Sequence, residues 1–151
     1  MSDNAYLDTS VLAKWYLQEH NTDIVTAYII SLDRAIISSL TITEMRCLLS
    51  RRKRMHDINE KLEQQIYATF LNDIDCGHLS VVPFLDEHFK IAAHLISVLP
   101  NIALRTLDAL HLSIIQQQNI TCLATADEVM EKAAKKLGII VWNMGLPGIV
   151  G

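Results

Sequence analysis

The chain has 151 residues, half of them apolar and 20% charged, with a formal net charge of −4. That balance excludes a disordered chain. It also supplies no overall attraction for nucleic acid, so a phosphate-bearing partner would need a local basic patch. Cys47, Cys76 and Cys122 show no CxxC spacing and are an odd number. They read as small buried hydrophobes in a reducing compartment, not as a disulfide framework or zinc site. The length suits one domain over residues 1–151 with a well-buried core. MSDNAYLD lacks the basic start of a signal peptide, and IVTAYIISL is far too short to span a bilayer. The expectation is a cytoplasmic protein with no membrane partner.

In chain order, Ala5 to Leu7 reads as a short strand, and Thr9 or Ser10 can cap a helix through about Leu17. A break at His20-Asn21-Thr22 precedes an apolar helix from Asp23 to near Leu32, and Arg34 to Ser38 is the second strand. Thr41 and Glu44 have the spacing of a capping box before MRCLLSRRK, and Asp57 and Glu60 repeat it before a long helix ending near Cys76-Gly77. Leu79 to Phe84 is the third strand, with Pro83 marking its end. Asp86 opens a helix stopped by Pro100, and Thr106 opens another that ends near Asn119. Thr121 to Thr125 is the fourth strand; a helix from Ala126 closes at Gly138, and Ile139 to Trp142 is the fifth strand. The tail LPGIVG reads as a loop. Strands alternating with helices argue for a parallel sheet covered on both faces.

Four acids, Asp8, Glu44, Asp108 and Asp127, each fall where a helix is about to begin. Asp8 and Asp127 also follow short apolar runs that read as buried parallel strands. Residues just past the carboxyl ends of such strands line a shared crevice. Carboxylates gathered there raise one another's pKa unless a cation neutralises them. Oxygen ligands select a hard divalent ion, Mg²⁺ or Mn²⁺ first, which points to chemistry on a phosphate ester. Each acid alone also has a structural explanation, since acids in a first helical turn complement the macrodipole. Glu44 can be the capping-box partner of Thr41.

LDTSVL after an apolar run, TITE entering a helix, LRTLDALHL and LATADEVMEKAAKKLG, in that order from Tyr6 to Trp142, resemble the PIN-domain ribonucleases. Within that family they look most like the VapC-type toxins of type II toxin–antitoxin pairs. The resemblance implies a three-layer α/β/α sandwich whose five-stranded parallel sheet has the order 3-2-1-4-5. It implies cleavage of single-stranded or structured RNA by metal-activated water, with Mg²⁺ or Mn²⁺ as cofactor, a cognate antitoxin as partner, and a homodimer. Carried over by position, Asp8, Glu44, Asp108 and Asp127 form the acidic, metal-holding site. Thr9, Ser10 and Thr125 match its supporting hydroxyls. Asp8 and Asp108 are expected as the most direct ligands, with Glu44 and Asp127 on outer waters or a second ion.

Arg51-Arg52-Lys53-Arg54 is the one dense basic run. It can contact RNA phosphates or an acidic antitoxin segment, or be a solvated helix end. Arg46 and Arg105 can neutralise the acids or hold a phosphate. His111 shares a helix face with Asp108 and reads more readily as a packed, hydrogen-bonded histidine than as a ligand. Asp73 and Asp75 read as solvated or capping. Competing functions are a PIN-type nuclease of RNA processing or decay, and a non-catalytic RNA- or protein-binding module. A phosphatase that needs a second Asp two residues after the first fits poorly, because Asp8 is followed by Thr9 and Ser10. A receiver domain fits poorly too, since Pro83-Phe84 stands where its phospho-accepting Asp belongs.

Overall fold

The computed structural model describes residues 3–144, so the LPGIVG segment lies outside the described residues. In chain order the elements are β1 (Asn4–Leu7), α1 (Thr9–Tyr16), α2 (Thr22–Ser31), β2 (Arg34–Ser38), α3 (Ser39–Arg54) and α4 (Glu60–Asp75). They continue with β3 (Ser80–Val82), α5 (Asp86–Val98), α6 (Thr106–Gln117), β4 (Cys122–Ala124), α7 (Glu128–Lys136) and β5 (Ile140–Trp142). Every strand pair is parallel and the order is β3-β2-β1-β4-β5, the topology that the resemblance implies. Parallel neighbours need crossover connections. Here two helices cross between β1 and β2, between β2 and β3 and between β3 and β4, and α7 alone joins β4 to β5.

Side chains alternate across the strands and so build two cores. Leu7, Ala35, Ile37 and Ala124 pack with Leu12, Val25, Met45, Leu49 and Phe70, which come from α1 to α4. Tyr6, Ile36 and Leu123 turn to the opposite face and pack with Leu95, Leu112, Ile114, Met130 and Ala133 of α5 to α7. The result is a sheet between two helical layers. Tyr28 stacks on Trp142 at a centroid distance of 3.9 Å and ties α2 to the edge strand β5. No helix among the described residues is long and apolar enough to cross a membrane.

The chain winds from β1 outward to β3, then returns to place β4 on the other side of β1. This reversal puts a switch point between β1 and β4, at whose carboxyl ends a crevice opens. Asp8 lies directly past the end of β1, and Thr125 to Asp127 directly past β4.

Several local starts differ from the expected ones. Asp8, not Thr9 or Ser10, is the N-cap of α1. The capping box of α3 is Ser38 with Thr41, so the helix starts before Thr41 and Glu44 lies in its second turn, free of a capping role. Asn59 caps α4 through the Leu62 N–H, in place of Asp57. Gly138 follows the end of α7 with a φ of +78°, the left-handed geometry of a helix stop. Cys47 and Cys76 are exposed, contrary to the buried reading, because they fall on the solvent sides of α3 and of the α4 end. All three cysteines are free thiols. Asp73 is not simply solvated: it accepts the Tyr16 hydroxyl at 2.6 Å and ties α1 to α4.

Leu112 is fully buried in the second core. Leu112→Ala is expected to lower unfolding stability by about 2–5 kcal/mol in urea denaturation. Ile30→Ala, at a 72% exposed position, is expected to change it by no more than about 0.5 kcal/mol.

Candidate active site

Asp8 is the most enclosed of the four acids, with 9% of its surface exposed. Its Oδ1 accepts the Thr9 N–H at 2.8 Å. Its Oδ2 accepts two hydroxyls, Thr125 Oγ1 at 2.8 Å and Ser10 Oγ at 3.0 Å. Those hydroxyls are themselves fixed: Ser10 Oγ accepts the Ala126 N–H, and Thr125 Oγ1 accepts the Asp127 N–H. Burial nevertheless dominates and raises the Asp8 pKa, with Glu44 adding to the rise while His111, Thr125 and Ser10 oppose it.

Glu44 comes in from α3. Its Oε1 accepts the Thr9 hydroxyl at 2.8 Å and lies 2.5 Å from His111 Nε2. Thr9 thereby joins two acids, its N–H serving Asp8 and its Oγ1 serving Glu44. Burial presses the Glu44 pKa upward, but the hydrogen bond and charge of His111, with Thr9 behind them, outweigh it, and the net shift is downward.

Asp108 and Asp127 enter from helix starts. Asp108 is the third residue of α6 and accepts the Arg105 N–H on Oδ2 at 3.3 Å. Asp127 caps α7, its Oδ1 accepting the N–H groups of Val129 and Met130. The Asp108 pKa is raised, by burial first and then by the charges of Asp127 and Asp8; the Arg105 N–H and charge oppose the rise. Asp108 thus sits within the fields of both Asp8 and Asp127. Asp8 and Glu44 are coupled both through Thr9 and by charge.

Glu44, Asp108 and Asp127 share a further property. Each holds one oxygen on the protein and leaves the other without a hydrogen-bond partner among the described residues. Carboxylates gathered at one crevice that keep oxygens unbonded are a donor set for a hard cation. The described residues contain no group of three or more His, Cys, Asp or Glu side chains placed to hold an ion directly. Carboxylate oxygens as donors suit Mg²⁺ or Mn²⁺ better than Zn²⁺. Mg²⁺ keeps several of its waters and takes one or two carboxylates, whereas structural zinc needs a closed set of N and S ligands.

The basic residues are placed differently. Arg46 pairs with Glu63 at 2.5 Å and lies 4.9 Å from the Tyr67 ring centroid. Lys53 lies 3.7 Å from both Glu60 and Glu63. Arg52 pairs with Glu19 at 2.5 Å and lies 3.8 Å from Asp57. Arg54 donates to Ser50, while Arg51 is exposed. Arg105 is exposed beside Asp108 and has no ion pair among the described residues. Of the candidate cations, Arg105 alone is tied by these contacts to the acids.

Sequence reasoning missed Tyr6 and Ser38. The Tyr6 hydroxyl donates to Ser38 Oγ at 2.8 Å and lies 2.5 Å from His111 Nδ1, all three residues being almost wholly buried. Burial raises the Tyr6 pKa well beyond the usual phenol range, with Asp8 and Glu44 reinforcing it against the Ser38 and Thr41 hydrogen bonds, so its hydroxyl stays neutral. An available signal was a tyrosine in a strand otherwise built for full burial, since a buried phenol needs a partner. A separate cavity of about 440 Å³ lies at the opposite end of the strands, between Asn4, Arg34 and Thr121, and no carboxylate lines it.

The fold and this acidic crevice define a PIN domain. The chain belongs to the PIN-domain family, whose pattern matches residues 5–136. Among solved structures it resembles FitAcB from Neisseria gonorrhoeae, with 19% identity, a TM-score of 0.70, and coverage of 95% of this chain and 99% of that one. It also resembles VapC20 of Mycobacterium tuberculosis, described as a sarcin–ricin-loop-cleaving toxin: 15% identity, TM-score 0.68, coverage of 85% and 94%. A third is VapBC2 from Rickettsia felis bound to a DNA fragment from its promoter, at 16% identity, TM-score 0.66, and coverage of 92% and 97%. At these identities the likeness is one of fold. No curated protein sequence gives a significant match.

The raised Asp108 pKa has a direct consequence for stability without divalent ions. Folding favours the protonated carboxyl, so its contribution is fully present below the ordinary value of 3.8 and is lost as pH rises through the raised folded value. Asp108→Asn removes that loss. In thermal melts with EDTA the variant is expected to melt above wild type at pH 7, with the gap closing as pH falls below 3.8.

Proposed function

We propose that this protein is a metal-dependent endoribonuclease that cleaves single-stranded or structured RNA, acting as the toxin of a type II toxin–antitoxin pair, with residues 1–151 working as one domain. The observation that carries the reading is the crevice at the β1–β4 switch point, where Asp108 feels the charges of Asp8 and Asp127 and Glu44 is coupled to Asp8 through Thr9. Family membership supports the nuclease class. The toxin assignment draws on the structural likeness to a described RNA-cleaving toxin and to complexes with antitoxins. On this reading the antitoxin covers the acidic crevice, the chain forms a homodimer, and both work in the cytoplasm.

When bound, Mg²⁺ or Mn²⁺ supplies a water of lowered pKa and positive charge to offset the charge that builds on the phosphate. Asp8 and Asp108 would hold it directly, and Glu44 and Asp127 through their unbonded oxygens by way of water or a second ion. Ser10 and Thr125 occupy Asp8 Oδ2, so what Asp8 has left to offer is its Oδ1, which accepts only the Thr9 N–H. Thr9 keeps Asp8 and Glu44 in fixed relation. Arg105, exposed at the α6 start, would draw a phosphate toward Asp108 and offset its charge. The ion-paired Arg46, Arg52 and Lys53 would have to leave carboxylates to meet RNA or an acidic antitoxin segment. Arg51 and Arg54 carry no such cost.

The test is cleavage of pooled single-stranded RNA by purified protein with Mn²⁺ or Mg²⁺, with EDTA, and by Asp8→Asn and Asp108→Asn. Cleavage should need the metal and fall by at least about 100-fold in either variant, as expected for removal of a group that stabilises transition-state charge. Cleavage that survives both substitutions would place the activity elsewhere. A folded wild type that binds no divalent ion would favour a non-catalytic binding module.

A further inference from the structure

Beneath the crevice runs a chain of contacts that the proposed chemistry does not use. Ser38 Oγ, Tyr6 Oη, His111 and Glu44 Oε1 follow one another at 2.8, 2.5 and 2.5 Å. The first three residues are buried, at 0%, 0% and 2% exposure, whereas the Glu44 side chain is 23% exposed. Both ring nitrogens of His111 are therefore committed, Nδ1 to a phenol inside the core and Nε2 to an acid at the crevice. The chain also bridges the two layers. Tyr6 packs in the core formed with α5 to α7, and Glu44 rides on α3, whose Met45 and Leu49 pack in the other core.

Glu44 has several rotatable bonds and gains no hold from a helix start, since α3 begins at Ser39. Two contacts restrain its carboxylate, and both fall on Oε1: the Thr9 hydroxyl and His111 Nε2. Oε2 is left without a hydrogen-bond partner among the described residues. A flexible carboxylate pinned through one oxygen by a ring that is itself anchored in the core presents its other oxygen in a fixed direction.

We propose that His111 is a positioning residue that, anchored by Tyr6, fixes Glu44 so that Oε2 alone remains for the hydrated divalent ion. This rests on the metal-dependent reading above. His111 touches neither the ion nor the RNA; it acts through Glu44.

The test is Mn²⁺ binding by calorimetry together with thermal melts in EDTA, on wild type, Asp8→Asn, His111→Asn, His111→Gln and Tyr6→Phe. An Asn amide at 111 reaches the place of Nδ1 and a Gln amide that of Nε2, so Asn keeps the Tyr6 side and Gln the Glu44 side. Loss of a residue that orients a ligand lowers metal affinity by about 10- to 100-fold. The expected order of affinity is wild type, then Gln, then Asn. Asn should be weakened by roughly 10-fold or more, and Tyr6→Phe should be weakened less than Asn. Tyr6→Phe preserves ring volume and keeps the test open if a substitution at 111 does not fold. Metal-free melting that drops in the variants while Mn²⁺ affinity stays at the wild-type value would make His111 a packing residue only and overturn the proposal. If wild type itself takes up no Mn²⁺, or Asp8→Asn binds as well as wild type, the metal-dependent reading fails and the proposal falls with it. Wild-type binding that depends on Asp8 but not on His111 sinks the positioning role alone.

Discussion

Everything at the carboxyl edge of the sheet is arranged around one buried charge. Asp8 stands at the end of the central strand, where burial acts against its ionised form. The surroundings answer with three hydrogen-bond donors, one from the backbone of Thr9 and two from the hydroxyls of Ser10 and Thr125. Those donors come from two separate parts of the chain, the start of α1 and the segment after β4. Holding the Asp8 carboxylate therefore holds the β1 and β4 ends together. The Asp8 N–H also reaches the Ala124 carbonyl at 2.9 Å, so backbone and side chain work at the same junction.

Around that charge the other acids are treated unequally. The Glu44 pKa is lowered, the His111 contact outweighing burial, whereas the Asp108 pKa is raised, by burial first and then by the charges of Asp127 and Asp8. The crevice thus combines an acid held by hydrogen bonds from His111 and Thr9 with acids held by fewer side-chain partners. Such asymmetry suits a site that receives a cation on one side and keeps a preset carboxylate on the other. The basic residues do little to offset it, since Arg46, Arg52 and Lys53 serve to fasten α3 to Glu19 and to the start and first turns of α4.

Much of this was legible in the chain because it depends on local order. Short apolar runs alternating with helix patterns announce a parallel sheet, and Asp8 and Asp127 announce themselves by following such runs. Glu44 was expected at a helix start, with a capping box to Thr41 as its structural alternative, but Ser38 takes the cap and α3 starts earlier. The strand that ends in Ser38 supplies an extended residue ready to cap, which the spacing of Thr41 and Glu44 alone does not reveal. His111 was rightly read as buried and hydrogen-bonded, yet its partner Glu44 lies 67 positions away and is reached only because α3 and α6, on opposite faces of the sheet, both bring side chains to its carboxyl edge. Cys47 misled because residue type says how often a side chain is buried, not on which side of a helix it falls. The partners of the basic run were invisible for the same reason, being set by how α3 lies against α4 and against the segment between α1 and α2.

The strand order has a temporal side as well. Thr125 meets Asp8 across 117 positions of sequence, and β4 can pair with β1 only after more than four-fifths of the chain has been made. A chain still emerging from the ribosome carries Asp8 and Glu44 early, but lacks Asp108, Asp127 and one of the hydroxyls that hold Asp8. On the proposed ribonuclease reading, the site closes only once β4 has joined β1, and a chain that stops short of β4 lacks Asp127 and the Thr125 hydroxyl.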